Sequence, residues 1–287
     1  MLHGFLSLVC CACVLACTPS PAHPEGAASV NVPTGTWQRD WVRRNGGPSD
    51  RSTLVRYVQT PSLFGDLRVP EALPDLTSAS SLADLTDDQL FALAQQSGFA
   101  GVMTMSGTTA TWNHEIDFQP SGSPDIGRVE MLGTGKMFEH ALDDSYVESW
   151  SVLDGREGAF AVRVKREDRV LNVLVVSGQH FVYARARKRA LPAGKSLVEL
   201  ITRLRPDRTT VMSYLDCEIS YGNTHGWWVE NSTLPWLQGK RLAFAERIGI
   251  GADGQPIALT PVRGEVWSFP VNTLAPDELQ TLFAPTR

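Results

Sequence analysis

From residue 34 onward, short β-rich runs alternate with turn residues, and no other feature constrains the fold of this chain as strongly. The clearest runs are TWQRDWV (36–42), STLVRYVQT (52–60), TATWNHEIDF (109–118), AFAVRVK (159–165), VLNVLVV (170–176) and LDCEISY (215–221). Many short strands with turns between them are the pattern of an antiparallel sandwich or barrel. Helical signals are scarce. LTDDQLFALAQQSG predicts one helix, with Thr86 and Gln89 as a capping box, Leu85 and Leu90 as a staple, and Gly98 as its stop. SLVELITRLRP predicts a second, with Ser196 and Glu199 as the box, Leu197, Leu200, Ile201 and Leu204 as one apolar stripe, and Pro206 ending it.

These helices suggest an internal repeat. Trp37 and Trp41 match Tyr146 and Trp150 at an offset of 109, and Thr86 with Gln89 matches Ser196 with Glu199 at 110. His114–Phe118 matches Cys217–Tyr221 at 103, and Val129-Glu130 matches Val229-Glu230 at 100. Four pairings in one order with shrinking offsets read as two copies of a unit of roughly 100 residues, each mainly β with one short helix. The expected organisation is a first unit over 34–143 and a second over 144–287, the latter carrying a C-terminal extension from about 247. A unit of this composition suits a small closed barrel, which removes sheet edges and leaves an interior for one small ligand.

The chain begins differently. VCCACVLAC holds Cys10, Cys11, Cys13 and Cys17, and the fifth cysteine is Cys217. Cys10 and Cys13 have CxxC spacing, yet no second Cys/His pair follows at zinc-site spacing and every neighbour is apolar. Residues 4–17 carry no charge and are too few to span a bilayer as a helix, but they suit the core of an export signal. VLAC resembles a bacterial lipobox, which implies cleavage after residue 16 and a lipid on Cys17; plain secretion and an uncleaved anchor are the alternatives. Residues 17–33 follow with four prolines and no hydrophobic period, as expected of a flexible tether. The mature chain then keeps Cys17, thioether-linked, and Cys217, so no internal disulfide is expected and the fold stands on its core. With 43% hydrophobic and 20% charged residues it can bury one. A net charge of −5 gives none of the basic excess that a phosphate backbone requires, which argues against nucleic acid as the main partner.

Gly35-Thr36-Trp37 resembles the Gly-x-Trp signature that opens lipocalin-type barrels. TGTWQRDWVRR, LVRYVQTPSLFGDLRVP, TWNHEIDFQP and LDCEISYGNTHGWWVENSTLPW resemble an uncharacterised bacterial lipoprotein family of tandem lipocalin-like, calycin-type double barrels. The resemblance covers most of the chain after residue 34. It implies two lipocalin-like antiparallel barrels in tandem, and it carries over no catalytic or ligand residue. The second unit has Ser145-Tyr146 where the first opens on Gly-x-Trp.

Chemistry-bearing motifs are few. The histidines at 23, 114, 140, 180 and 225 have no metal-ligand spacing, so no metal or cofactor is expected. There is no Gly-x-Ser-x-Gly elbow, HExxH helix or phosphate-cradling glycine loop, and Ser177 in VVSGQ lacks the elbow's glycines. Strand period two places Asn113, Glu115, Asp117 and Gln119 on one face of their strand, Phe64, Asp66 and Arg68 on one face of another, and Trp37, Arg39 and Trp41 on a third. If these polar faces point inward, Glu115 and Asp117 meet Arg39 or Arg68 beside Trp37, which gives an apolar cavity with a few orienting charges. The same residues are also consistent with plain cross-strand pairing, or with a general acid/base pair. Trp37, Trp41, Trp112, Trp227 and Trp228 are expected mainly as core fillers, and Cys217 as a buried inert thiol.

The reading that follows is a membrane-anchored envelope protein that binds a small lipophilic or amphipathic ligand, on the outer membrane and facing the periplasm. A cofactor-free hydratase or isomerase of isoprenoid-like substrates is the alternative, and a non-catalytic docking protein the second. Binding needs a cavity, an enzyme needs in addition an acid of raised pKa facing it, and docking needs neither.

Overall fold

A computed structural model describes residues 32–120, 122–133, 135–154, 157–192 and 196–284. Cys17, the expected signal segment and the expected tether up to residue 31 lie outside the described residues. The described residues fall within one compact unit. Its first half is a meander: β1 (Gly35–Arg44), β2 (Thr53–Gln59), β3 (Leu63–Pro70), α1 (Asp87–Leu93), β4 (Ser97–Ser106), β5 (Thr109–Asp117), β6 (Asp125–Leu132), β7 (Lys136–Ala141) and β8 (Tyr146–Asp154). β8 pairs antiparallel with β1, Arg39 opposite Trp150, and closes the eight strands into a barrel. The barrel therefore runs to Asp154, past the boundary expected at 143. Tyr146 and Trp150 belong to the strand that seals it against Trp37 and Trp41 rather than to the opening of a second unit.

Every strand of the barrel contributes to one apolar cluster: Trp37, Tyr57, Phe64, Phe99 with Met103, Trp112, Val129, Met137 and Trp150 come from β1 to β8 in turn. A cluster fed by all eight strands is the barrel interior. Trp37 fixes the entry, with Nε1 donating to Pro33 O at 2.9 Å, and the glycine two residues before it sits at φ +132°, a conformation that side chains disfavour.

The second half is not a closed barrel. β9 (Ala159–Arg166), β10 (Arg169–Ser177), β11 (His180–Arg185), β12 (Glu218–Asn223) and β13 (Trp228–Ser232) form a sheet with α2 (Leu197–Leu204) and α3 (Arg208–Leu215) between β11 and β12. After β13 no strands equivalent to β6, β7 and β8 follow. The chain makes short turns, a hairpin of β14 (Ile248–Ile250) and β15 (Pro256–Ala258), then β16 (Glu265–Asn272) and α4 (Pro276–Leu282). β16 adds to β9, so the sheet order is β13-β12-β11-β10-β9-β16. The expected C-terminal extension is thus the sixth strand of this sheet and the cover of one of its faces.

Strand alternation gives the sheet two apolar faces. On one, Ala161, Val173, Val175, Val182, Ala184 and Ile219 pack against the outer wall of the barrel at Val58, Leu63, Leu67, Ala100 and Ile116, with α1, α2 and α3 sealing the margin. On the other, Phe160, Val162, Leu174, Phe181 and Tyr183 lie under Leu242, Phe244, Ile248 and Leu279 of the C-terminal segment. Among the described residues no helix is long and apolar enough to cross a membrane.

The two halves share a local device. On β5 the register against β4 slips between Ala100 and Gly101, making Glu115 the extra residue; on β13 the register against β12 slips between Tyr221 and Gly222, making Glu230 the extra residue. Each bulge presses a carbonyl onto the facing glycine. A Cβ on Gly101 would stand 2.0 Å from Asn113 O, and one on Gly222 would stand 1.9 Å from Trp228 O. Gly222→Ala is expected to cost about 3 kcal/mol or more in a urea unfolding series, because backbone rather than a flexible side chain must move. A cost under about 1 kcal/mol would show that the bulge relaxes freely.

Local helix signals are met in part. Thr86 and Gln89 form the reciprocal box at the start of α1, and Ser196 Oγ accepts from the Glu199 amide at the start of α2. α1 ends at Leu93, however, and Gly98 lies in β4 instead of stopping it.

Candidate functional site

Four of the five residues expected at a ligand site face the barrel interior, and the bulge removes the fifth. Trp112 and His114 point inward opposite Met103 and Gly101, while Ile116 pairs with Ala100 and packs outside with the second-half sheet. Period two is broken at Glu115, so Glu115 and Asp117 do not share a face as strand alternation predicts. Glu115 turns outward and accepts from Arg163 Nη1 of β9 at 2.9 Å, joining barrel to sheet. Asp117 turns back to His114.

Inside the barrel the expected partners are already paired with other groups. Arg39 donates to Glu148, both side chains being 5% exposed. Arg68 Nε donates to Asp66 Oδ1 at 2.8 Å, and its Nη1 stands 3.9 Å from Glu148 Oε1. Glu139 lies directly across from Glu148 on β7 and β8 and accepts from Tyr146 Oη at 2.8 Å. Burial first, and then the facing Glu148 charge, push the Glu139 carboxyl up to about 8, against the pull of Arg68. Burial also raises Asp66 in spite of Arg68.

A second group sits beside them. His114 Nδ1 is 2.7 Å from Asp117 Oδ2, its Nε2 is 3.0 Å from Asp125 Oδ2, and the ring stacks on Phe99 at 3.9 Å. Burial disfavours the charged ring, but the hydrogen bonds to Asp117 and Asp125 outweigh it and raise His114 to about 9. These charges surround very little space. The cavity between Tyr57, Arg68, Trp112, Glu139 and Trp150 is about 10 Å³, near the volume that admits one water. Glu139 thus has the perturbed acidity of a catalytic acid, with no room beside it for a substrate.

The space lies elsewhere, between the far face of the six-stranded sheet and its C-terminal cover. A cleft of about 660 Å³, within the range of small-molecule sites, has a floor of Asn172, Tyr183, Arg185 and Glu218 from β10 to β12 and an apolar wall of Leu237, Leu242 and Phe244. Seven cationic residues line it, at positions 166, 169, 185, 187, 188, 241 and 247, against the single acidic residue Glu218, in a chain whose net charge is −5. Burial raises the Glu218 carboxyl. A second depression of about 730 Å³ beside the exposed Trp228 sets His225 and Arg241 against Asp277 and Glu278, without a dominant sign.

Sequence patterning directed attention to the barrel and missed this cleft. The available signal was the basic run ARARKR at 184–189, where alternation aims Arg185 at the far face of the sheet. Its meeting with Arg166, Arg241 and Arg247 is set by tertiary folding alone. Cys217 is a free, buried cysteine, and burial holds its thiol above the usual range.

Comparison with protein-family models, with curated proteins and with solved structures finds no match to this chain.

Proposed function

We propose that the protein is a membrane-tethered binding module of the bacterial envelope, held through a lipid on Cys17 and the tether to residue 33, which takes up a small amphipathic ligand in the cleft beneath its C-terminal cover. The observation that carries this reading is the contrast in volume: about 660 Å³ in the cleft against about 10 Å³ in the barrel. The barrel then serves as a filled platform, and the cleft, with a polar floor and an apolar wall, is the place where a ligand is held.

Two lipocalin-like units in tandem, the second opened by its C-terminal segment, fit the same reading. Support for it comes from the order that recurs, three strands, a helical connection and two strands, and from the glycine-facing bulge with its glutamate in each half.

One observation favours an enzyme instead: Glu139, raised to about 8, faces the barrel cavity. That reading needs the barrel to open around a substrate, and the ion pairs of Arg39 and Arg68 hold it shut.

Native mass spectrometry of protein released gently from its own membrane is the test, beside palmitate labelling of the wild type and of Cys17→Ala. A labelled wild type, an unlabelled variant and a co-purifying amphiphile are expected. Apo protein that also binds no amphiphile on addition would sink the binding reading, and an unlabelled wild type the lipid anchor.

A further inference from the structure

Resting on the proposed binding role of the cleft, we infer that its ligand is anionic at one end, a phosphate monoester or a carboxylate, and that Arg166, Lys188, Arg241 and Asn172 hold that end while Leu237, Leu242 and Phe244 take the apolar remainder.

The cations of the cleft divide by what already holds them. Arg185 Nη2 donates to Asp216 Oδ1 at 2.8 Å, and its Nε lies 3.5 Å from Glu218 Oε2. Arg247 donates to Glu265 Oε2 at 2.7 Å and lies over the Trp267 ring at 4.9 Å. These two are neutralised by carboxylates. Arg187 spends its guanidinium on three backbone carbonyls, and Arg169 donates to the carbonyls of Arg187 and Lys188. Carbonyls satisfy donors without cancelling charge.

Arg241 uses only Nε, on Gly226 O at 3.2 Å, so its two terminal nitrogens stay open. The side chains of Arg166 and Lys188 have no hydrogen bond or ion pair among the described residues. Arg187 turns its guanidinium to the barrel side, which leaves Arg166, Arg169, Lys188 and Arg241 as four positive charges with no carboxylate ion pair around one concave surface, where low-dielectric walls concentrate their field. Arg166, Lys188 and the Arg241 fork retain donors to spend on a ligand.

Asn172 makes the independent case. It is 7% exposed, it lines the cleft floor, and its Oδ1 accepts from Tyr183 Oη at 2.7 Å. Its amide NH2 has no partner among the described residues. An amide donor left open in the floor of a cleft whose lining is mostly cationic among its charged residues is complementary to an acceptor that bears negative charge. A cationic headgroup would be repelled here, and a neutral one would leave the field unused. Phosphate monoester and carboxylate share the required chemistry, and a lipid headgroup and a free amphiphile are both sources of it.

The test is isothermal titration of the full chain with water-soluble probes: octyl phosphate, octanoate, dihexanoyl phosphatidate, octanol and octyltrimethylammonium. The first three are expected to bind, with octanol and octyltrimethylammonium at least about tenfold weaker than octyl phosphate, the margin of a charge-assisted contact. The double variant Arg166→Ala/Lys188→Ala should lose about tenfold for octyl phosphate and leave octanol unchanged. Both side chains are exposed, so its melting temperature should equal that of the wild type. Asn172→Ala should weaken the anions selectively, and the Arg166→Lys single variant should keep most of the affinity. Dihexanoyl phosphatidate binding more tightly than octyl phosphate identifies a two-chain lipid as the source, and the reverse a single-chain amphiphile. Octanol binding as tightly as octyl phosphate, or a double variant with unchanged affinity for it, overturns the anionic end and leaves amphiphile binding standing. If no probe binds, the binding role itself falls.

Discussion

Glu139→Gln is expected to stabilise the protein at pH 9 by on the order of 3 kcal/mol and to leave stability at pH 4 nearly unchanged. The Glu139 carboxyl is raised from 4.5 to about 8 in the fold, by burial first and by the facing Glu148 second. A group whose folded pKa is raised binds its proton more tightly in the native state. Its stabilising contribution is complete below pH 4.5 and drains away as pH rises toward 8. His114 acts in the same sense: lifted to about 9 from 6.5, it contributes fully below pH 6.5 and loses that contribution as pH rises through 9. The wild type should therefore weaken continuously from about pH 4.5 to pH 9. Gln at 139 keeps the shape of the protonated acid, and its amide oxygen can still accept from Tyr146 Oη. The variant should fall less steeply over this range, keeping only the losses from His114 and from Asp66 and Glu218, whose carboxyls burial also raises. Urea unfolding midpoints from pH 4.5 to 9 measure both curves. A wild type that gains stability between pH 4.5 and 8 would mean that Arg68 holds Glu139 ionised, and would overturn the assignment.

The parts of this molecule legible in its sequence are those decided within a few residues. Thr86 and Gln89 satisfy each other's backbone amides across a single turn, so the start of α1 is visible without knowledge of what it packs on. The strand at 109–118 is visible for the same reason. Its faces are not, because the bulge at Glu115 arises from pairing with Gly101 on another strand, and a one-residue slip exchanges inside for outside. Barrel closure is likewise non-local. Trp150 resembles Trp37 because both strands present aromatics to the same interior, whereas Trp41, past the register slip after Arg39, packs outside the barrel on Phe138. α3 escapes because its apolar stripe is weak; its local sign is Asp207, whose Oδ1 accepts from the Thr210 amide. The cleft was least legible. Its cations come from the β9–β10 turn, the end of β11 and the C-terminal segment, and no window of sequence holds them together.

Arg187→Met is expected to cost about 3–5 kcal/mol, a large part of the 5–15 kcal/mol by which a domain is usually stable. Arg187 is 7% exposed and donates from Nε to Tyr214 O at 2.8 Å, from Nη1 to Asp117 O at 2.9 Å and from Nη2 to Phe118 O at 2.7 Å. The first carbonyl belongs to α3 in the second half, the other two to the end of β5 in the barrel. One guanidinium thus fastens the barrel to the sheet at a point where strand and helix ends leave carbonyls without ladder partners. Methionine fills nearly the same volume and supplies no donor, so three buried acceptors lose their bonds, which costs more than an unmade contact in water. Arg187→Lys separates charge from geometry: a single ammonium cannot reproduce a planar fork aimed at three oxygens, so it should recover only part of the loss. Arg203→Met, on the exposed side of α2, should change stability by less than about 0.5 kcal/mol and serves as the reference. Urea unfolding followed by tryptophan fluorescence gives all three values. If Arg187→Met costs no more than Arg203→Met, water reaches those carbonyls and the barrel and sheet are held by the apolar contacts of Val58, Leu63 and Leu67 alone. The expected order, methionine worst and lysine between, would instead place a polar clamp at the junction on which the cleft is built, since Arg187 and Lys188 line that cleft.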